Sequence, residues 1–310
     1  MNSNEVLGGD SSTGKSAIAK KLESGEFIVT VEVHPPRGHL VNKTFDSIKA
    51  LLEKVKIDAF NTTDIPLAQA RLSSTAMSSL IASYFSVDTI MHVATRYRNV
   101  LSLQSDLLGA HALGVSNVFV FMGDPPAMGD ATEASSLSDV TSSELISLIS
   151  DMNSGIGLGG VNLNQATNFT VGCAINLEAD DMDKELESLK RKVDAGAQFI
   201  LSQTVFDAEP VEKVAELTKG FPIPLVLGIL PLRSHKHASF LNDSVPGMTV
   251  PQGVLDRLYN AEGDVGLEGV RIAQEILNKS ISIIGGAYLV PAFNRYDYVA
   301  EVISGLANVD

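Results

Sequence analysis

The chain has 310 residues, 45% of them hydrophobic, enough for one large domain or two smaller ones, and its net charge of −14 argues against nucleic acid as a partner, since a duplex-binding surface is basic. A single cysteine, Cys173, excludes an internal disulfide and a cysteine-rich zinc site. No apolar run approaches the ~18 residues that span a bilayer, and the first residues lack the apolar core of a signal peptide, so a cytoplasmic protein with no membrane association is expected.

The chain opens on GGDSSTGKS, in which Gly9, Gly14, Lys15 and Ser16 spell the phosphate-cradling pattern G-x-x-x-x-G-K-[ST]. A working P-loop joins a buried strand to a helix, so that backbone N–H groups and the helix N-terminus face the phosphates. Only the short polar stretch MNSNEVLG precedes Gly9, and it supplies no such strand. The expectation is a tail followed by a first helix, SAIAKKLESG, capped by a Ser or Thr.

From there short apolar runs alternate with amphipathic segments of helical period. FIVTVEV leads to the helix candidate TFDSIKALLEKV, KIDAFNTT to STAMSSLIASYF, VDTIMHVA to NVLSLQSDLLGAHALG, and NVFVFMG to SSELISLISDMN. FTVGCAI then leads to DKELESLKRKVDAGA, QFILSQT to PVEKVAELTKGF, and IPLVLGI to GVLDRLYNAE and GVRIAQEILNKS, before a last run, ISIIGGAYL. Continuous apolar runs separated by helices indicate a parallel sheet covered by helices. Eight such runs indicate a (β/α)8 TIM barrel of α/β class, with a doubly wound open sheet as the alternative. Residues 1–24 read as tail and leading helix, and residues 25–310 as one barrel domain.

Two further patterns lack their context. GIGLGG places Gly155, Gly157 and Gly160 in the dinucleotide spacing, but it follows a helix and leads to a strand, the reverse of the required order. It reads as a long flexible loop before the fifth run. The triplet His235 to His237 has no carboxylate or cysteine pattern beside it and reads as a solvated loop, with no metal site expected. Lys190, Arg191 and Lys192 form the best local patch for phosphate in so acidic a chain, although a solvated helix face is the simpler reading.

In a (β/α)8 barrel the chemistry sits at the C-terminal ends of the strands. Those ends carry Glu32 followed by HPPRG, Thr63 and Asp64, His92 followed by ATRYRN, Gly123 and Asp124, Asn176, and Gln203. Singly each has an ordinary explanation as a helix cap, a turn residue or a core histidine. Together they indicate one site.

The segments VTVEVHPPRG, HVATRYRN, VFVFMGDPP, FTVGCAIN, LKRKVDAGAQFILSQTVFD, IPLVLGILPL and VPAFNR occur in an order that resembles the methylenetetrahydrofolate reductases, from about Phe27 to Leu306. The resemblance implies a barrel with a non-covalent flavin, FAD rather than FMN, that reduces 5,10-methylenetetrahydrofolate to 5-methyltetrahydrofolate. Electrons would come from NAD(P)H or, as in some relatives, from a partner protein, and a homo-oligomer is implied. Glu32 matches the family's general acid, Asp124 an acid near pterin and flavin, Gln203 a strand glutamine at the pterin or nicotinamide, and Arg295 an arginine on the substrate side. Thr63, His92, Gly123, Asp124, Ala174, Asn176, Arg191 and Lys192 fall where the family holds flavin. The chain departs from the better-known bacterial enzymes at Met122 (Arg there), at Asn176 (Tyr there) and at Pro291 (an aromatic there). Arg96 and Arg98 stand near enough in sequence to replace lost flavin contacts. The regulatory domain of eukaryotic relatives is expected to be absent. Two other readings remain: a different flavin barrel, such as a proline-dehydrogenase-like enzyme, and a non-catalytic barrel subunit.

Overall fold

The computed structural model describes residues 14–245 and 247–306. Gly9 of the opening motif lies outside them. Among the described residues eight strands close into a parallel barrel in chain order, with β1 paired to both β2 and β8, which excludes the open doubly wound sheet. The strands are β1 (Ile28–Val33), β2 (Ala59–Thr62), β3 (Asp88–Ala94), β4 (Asn117–Phe121), β5 (Thr170–Ile175), β6 (Phe199–Val205), β7 (Leu225–Ile229) and β8 (Gly286–Leu289). The helices are α1 (Ala17–Ser24), α2 (Asn42–Leu52), α3 (Ser74–Phe85), α4 (Val100–Ala112), α5 (Ser142–Asn153), α6 (Met182–Asp194), α7 (Glu209–Leu217), α8 (His235–Ser244), α9 (Gln252–Asn260), α10 (Val265–Ser280) and α11 (Tyr296–Ser304).

The strands are apolar runs because both faces are buried. Along β1, Val29, Val31 and Val33 face outward into the core shared with the helices, while Ile28 joins the barrel interior with Ala59, Ile90, Phe119, Phe199, Leu201, Val226 and Tyr288. Large and small residues alternate around that interior. A Cβ on Gly172 would stand 2.3 Å from the Phe199 ring, and one on Gly286 would stand 2.5 Å from Ile28. Glycine at these two positions leaves the room that the neighbouring side chains fill.

Helix α1 plugs the end of the barrel where the strands begin. Ile18 is fully buried within the interior cluster. Ser16 caps the helix by accepting from Ala19 N, and its hydroxyl donates to Asn117 at the start of β4. Ile18 N donates to Asp88 at the start of β3, and Lys21 pairs with Asp58 just before β2. The expected Ser cap is therefore present, and Gly14, Lys15 and Ser16 lie at the opposite end from the strand C-termini.

Three readings need correction. His235 to His237 do not form a loop: they open α8, with Ser234 accepting from His237 N and with Ala238 and Leu241 buried beneath. The amphipathic signal there is short and its charged start masks it. In the last run only Gly286–Leu289 is strand, because α10 continues to Ser280 and residues 281–283 are a turn. Helix α11 was not anticipated; it packs on α2 and α10. The GIGLGG segment holds no strand-to-helix turn. Gly155, Gly159 and Gly160 take left-handed backbone, and Leu158 N is fixed by Gln104 Oε1.

Candidate active site

Period-two alternation places Glu32 on the inward face of β1, one residue before the strand ends. It is 7% exposed. Two groups meet its carboxylate: the Tyr288 hydroxyl donates to Oε2, and His34 Nε2 lies 3.1 Å from Oε1. Burial pushes the Glu32 pKa from 4.5 up to about 8, so the side chain holds its proton at neutral pH. Tyr288 arrives because the barrel closes, with Thr30 and Tyr288 opposite each other across β1 and β8. Tyr296, buried at the start of α11, has its hydroxyl pKa raised by burial and then by Glu32.

His34, two residues past Glu32, places Nδ1 3.1 Å from Thr63 Oγ1. Burial and the Arg71 charge lower its pKa to about 4, so the ring is neutral. His92 points inward from β3, with Nε2 3.3 Å from Asn61 Oδ1 and its ring against Phe119, Phe121 and Tyr288. Burial, then His34, lowers its pKa to about 3. Asn61 is fully buried, and its Nδ2 has no hydrogen-bond partner within the protein. A buried amide without a partner is costly in a closed core, which makes it a mark of a place meant to receive something.

At the end of β4, Gly123 has φ +92°, and a Cβ there would stand 3.0 Å from Ala94 Cβ. Arg96 Nε donates to Gly123 O, while Met122 is 61% exposed. The Asp124 carboxylate accepts from Leu67 N at 2.7 Å, and Tyr97 donates to Asp124 O. Leu67 and Ala68 hold left-handed backbone, and a Cβ on Gly129 would collide with Ala68 O. The loops after β2 and β4 are thus clamped together beside the rim, with Asp124 as the clasp. Deeper, Asp64 takes Ala94 N and an ion pair from Arg98.

On the far side of the rim, Lys192 reaches from α6 to donate to Ala174 O at 2.8 Å, while Arg191 is exposed. A register shift in β6 between Leu201 and Thr204 surrounds Gln203, and Ser202 Oγ fills the gap by accepting from Gly228 N. A Cβ on Gly247 would stand 3.0 Å from Asn176 Nδ2 and 4.0 Å from Gln203 Nε2, so these two amides lie under one loop. Beside them a cavity of about 410 Å³ is lined by Asn176, Glu178, Asp243, Gly247 and Met248 among others. Arg295 is engaged elsewhere: Asp297 binds its guanidinium, which lies 3.5 Å over the Tyr298 ring.

The structure therefore gathers Glu32, Thr63 and His92 into one hydrogen-bonded and ring-stacked centre. It sets Gly123, Arg96 and Asp124 on one side, and Ala174, Asn176, Lys192 and Gln203 on the other. Arg191 and Arg295 make no contact with that centre. Sequence reasoning passed over His34, Asn61 and Tyr288. His34 and Asn61 carried a usable signal, since each lies two residues from a named group. Tyr288 carried none until closure brought β8 beside β1. Among the described residues no cluster of three or more His, Cys, Asp or Glu could hold a metal ion, and no helix is long and apolar enough to cross a membrane.

Residues 17–303 match the family described as Methylenetetrahydrofolate reductase. The Schizosaccharomyces pombe protein named Methylenetetrahydrofolate reductase 1 is 29% identical over 216 residues, covering 66% of this chain and 33% of that one. A Caenorhabditis elegans protein named Probable methylenetetrahydrofolate reductase (NADPH) is 26% identical over 258 residues, 80% of this chain and 36% of that one. The chain spans about a third of the length of these two relatives. A solved 2,3-dimethylmalate lyase of the PEP mutase/isocitrate lyase superfamily matches with TM-score 0.51 at 14% identity, over 93% of this chain and 81% of that one, a likeness of fold alone.

Proposed function

The chain belongs to the methylenetetrahydrofolate reductase family, and we propose that it carries out flavin-dependent reduction of 5,10-methylenetetrahydrofolate to 5-methyltetrahydrofolate. The observation that carries this reading is Glu32: a carboxylic acid buried at the mouth of the barrel between Tyr288 and His34, where burial pushes its pKa up to about 8. Methylenetetrahydrofolate must open its five-membered ring to an iminium before a hydride can be accepted, and opening needs a proton on the departing nitrogen. A buried acid whose pKa lies near working pH is suited to give it.

A flavin suits the site on three local features. Gly123 leaves a cradle that a Cβ would fill, the Asn61 amide is buried without a partner, and Lys192 brings a cation to the Ala174 carbonyl. Thr63, His92, Arg96, Gly123, Asp124, Ala174, Asn176, Arg191 and Lys192 would hold it, as FAD in our reading. When bound, the flavin supplies the hydride. Glu32 supplies the proton and is held by Tyr288. Asp124 places negative charge where the substrate becomes cationic. Gln203 orients the folate, and Arg295 would have to exchange its Asp297 partner to join it. NAD(P)H is the proposed electron donor, consistent with the NADPH in the nematode relative's name.

The test is direct. Denaturing the purified protein should release a flavin. In anaerobic stopped flow NAD(P)H should bleach it, and methylenetetrahydrofolate should restore its colour. A colourless protein that neither flavin reconstitutes overturns the assignment.

A further inference from the structure

If Glu32 spends a proton in each turnover, the proton must be replaced. Glu32 is nearly sealed, and its Tyr288 partner is 7% exposed. Its other partner is not sealed: the His34 side chain is 36% exposed. His34 touches Glu32 through Nε2 and Thr63 through Nδ1, each at 3.1 Å. One ring therefore links the buried carboxyl to the solvent side of the rim.

We propose that His34, oriented by Thr63, is the proton relay that recharges Glu32 from solvent after each turnover. This rests on the reading of Glu32 as the acid. The protons balance as follows. Glu32 gives its proton to the substrate nitrogen and becomes a carboxylate. The Nε2 proton of neutral His34 passes to Glu32 Oε1, while Nδ1 takes a proton from the Thr63 hydroxyl, which takes one from water. No electron moves. The ring ends with its proton on Nδ1, where it stays while Glu32 is protonated, and takes up the Nε2–H form by exchange with water when Glu32 is next ionised. Thr63 suits both forms, because a hydroxyl can donate to a bare Nδ1 or accept from Nδ1–H. Tyr288 occupies Oε2, which leaves Oε1 as the oxygen facing His34.

The charged and titratable groups around the ring agree with a neutral carrier. Glu32 lies two residues back on β1, Arg71 reaches in from the segment before α3, and His92 lies across on β3. Tyr288 on β8 and Tyr296 on α11 stand behind Glu32. Burial, and then Arg71, disfavour imidazolium, so the ring passes protons without keeping one.

Three measurements test the relay. At pH 7 His34→Phe keeps the bulk and removes both nitrogens. Reoxidation of reduced enzyme by methylenetetrahydrofolate should keep the parent rate in the first turnover, when Glu32 is already protonated. Steady-state turnover should fall roughly 10- to 100-fold, within the range of a positioned proton-transfer group. Added imidazole should restore turnover to His34→Ala in proportion to its concentration, a response that a structural role would not give. Where either variant fails to fold, the unaltered protein labelled with ¹⁵N-histidine decides. The His34 ring should be neutral, and its proton should move from Nδ1 to Nε2 as Glu32 ionises near pH 8. Steady-state rates at parent level, or a tautomer indifferent to Glu32, overturn the relay. Glu32→Gln separates the two layers. If it keeps first-turnover reoxidation, Glu32 is not the acid. If it loses that step while His34→Phe retains every turnover, the relay alone is wrong.

Discussion

The two ends of the barrel use the same kinds of side chain to opposite effect. Where the strands begin, Asp58 takes Lys21 and the Val29 amide, Asp88 takes the Ile18 amide, and Asn117 receives Ser16 while donating to Thr89 O. Each of these groups has a partner, and Ile18 closes the floor. Where the strands end, Glu32 is held protonated, His34 and His92 are held neutral, and Asn61 keeps an unpartnered amide. Conserving energy and doing chemistry place different demands on a buried polar group. A matched group stabilises the fold, whereas a group kept short of its preferred partner or charge can respond to a ligand.

The contrast should break most visibly at Glu32. Glu32→Gln keeps the size but has no carboxylic proton, so folate-dependent reoxidation should slow by roughly 10² to 10⁴ while bleaching by the donor stays at the parent rate. In the parent, the same step should decline above about pH 8 as Glu32 ionises, and the variant should lack that decline. Stopped-flow traces across pH check both.

At the other end, Ile18→Ala should do the reverse. Removing a fully buried side chain from the floor should cost about 2–5 kcal/mol of stability, read by urea denaturation. Both half-reactions should keep their rates at temperatures where the protein stays folded. A variant that loses activity before stability would mean the two ends are coupled.

A smaller effect sharpens the electrostatic side of the comparison. The His92 pKa is depressed from 6.5 to about 3 in the folded protein. The unfolded chain therefore binds the proton first, so stability is full above pH 6.5 and is lost as pH falls toward 3. His92→Phe keeps a ring against Phe119 and should flatten part of that loss. Urea midpoints at pH 7 and pH 5 give the slope, and an unchanged slope would remove His92 from the account.

The smallest effect is expected at Lys15, whose ammonium pairs with Glu23 on an exposed surface. Lys15→Ala should shift stability by less than about 1 kcal/mol, the ordinary worth of such a pair. It should leave folate reduction unchanged, and neither form should hydrolyse ATP. Nucleotide hydrolysis lost in the variant would restore the P-loop reading.

Local pattern alone determined much of this molecule. Apolar runs buried on both faces announced eight strands, and helical periodicity placed α3 and α5 at their observed bounds. The strand-end rule then singled out Glu32, Thr63, His92, Asp124 and Gln203, because in a parallel barrel each strand delivers its last residues to the same rim. Only tertiary structure decided the partners. Tyr288 reaches Glu32 across 256 residues of chain through closure of β8 on β1, and no local period encodes that contact. Leu67 meets Asp124 because two loops clamp together, and Ser16 serves a floor because α1 folds under the barrel. The charge states followed from the same step: the pKa of a carboxyl or imidazole depends on how much water and which charges surround it, and those are set by residues distant in sequence.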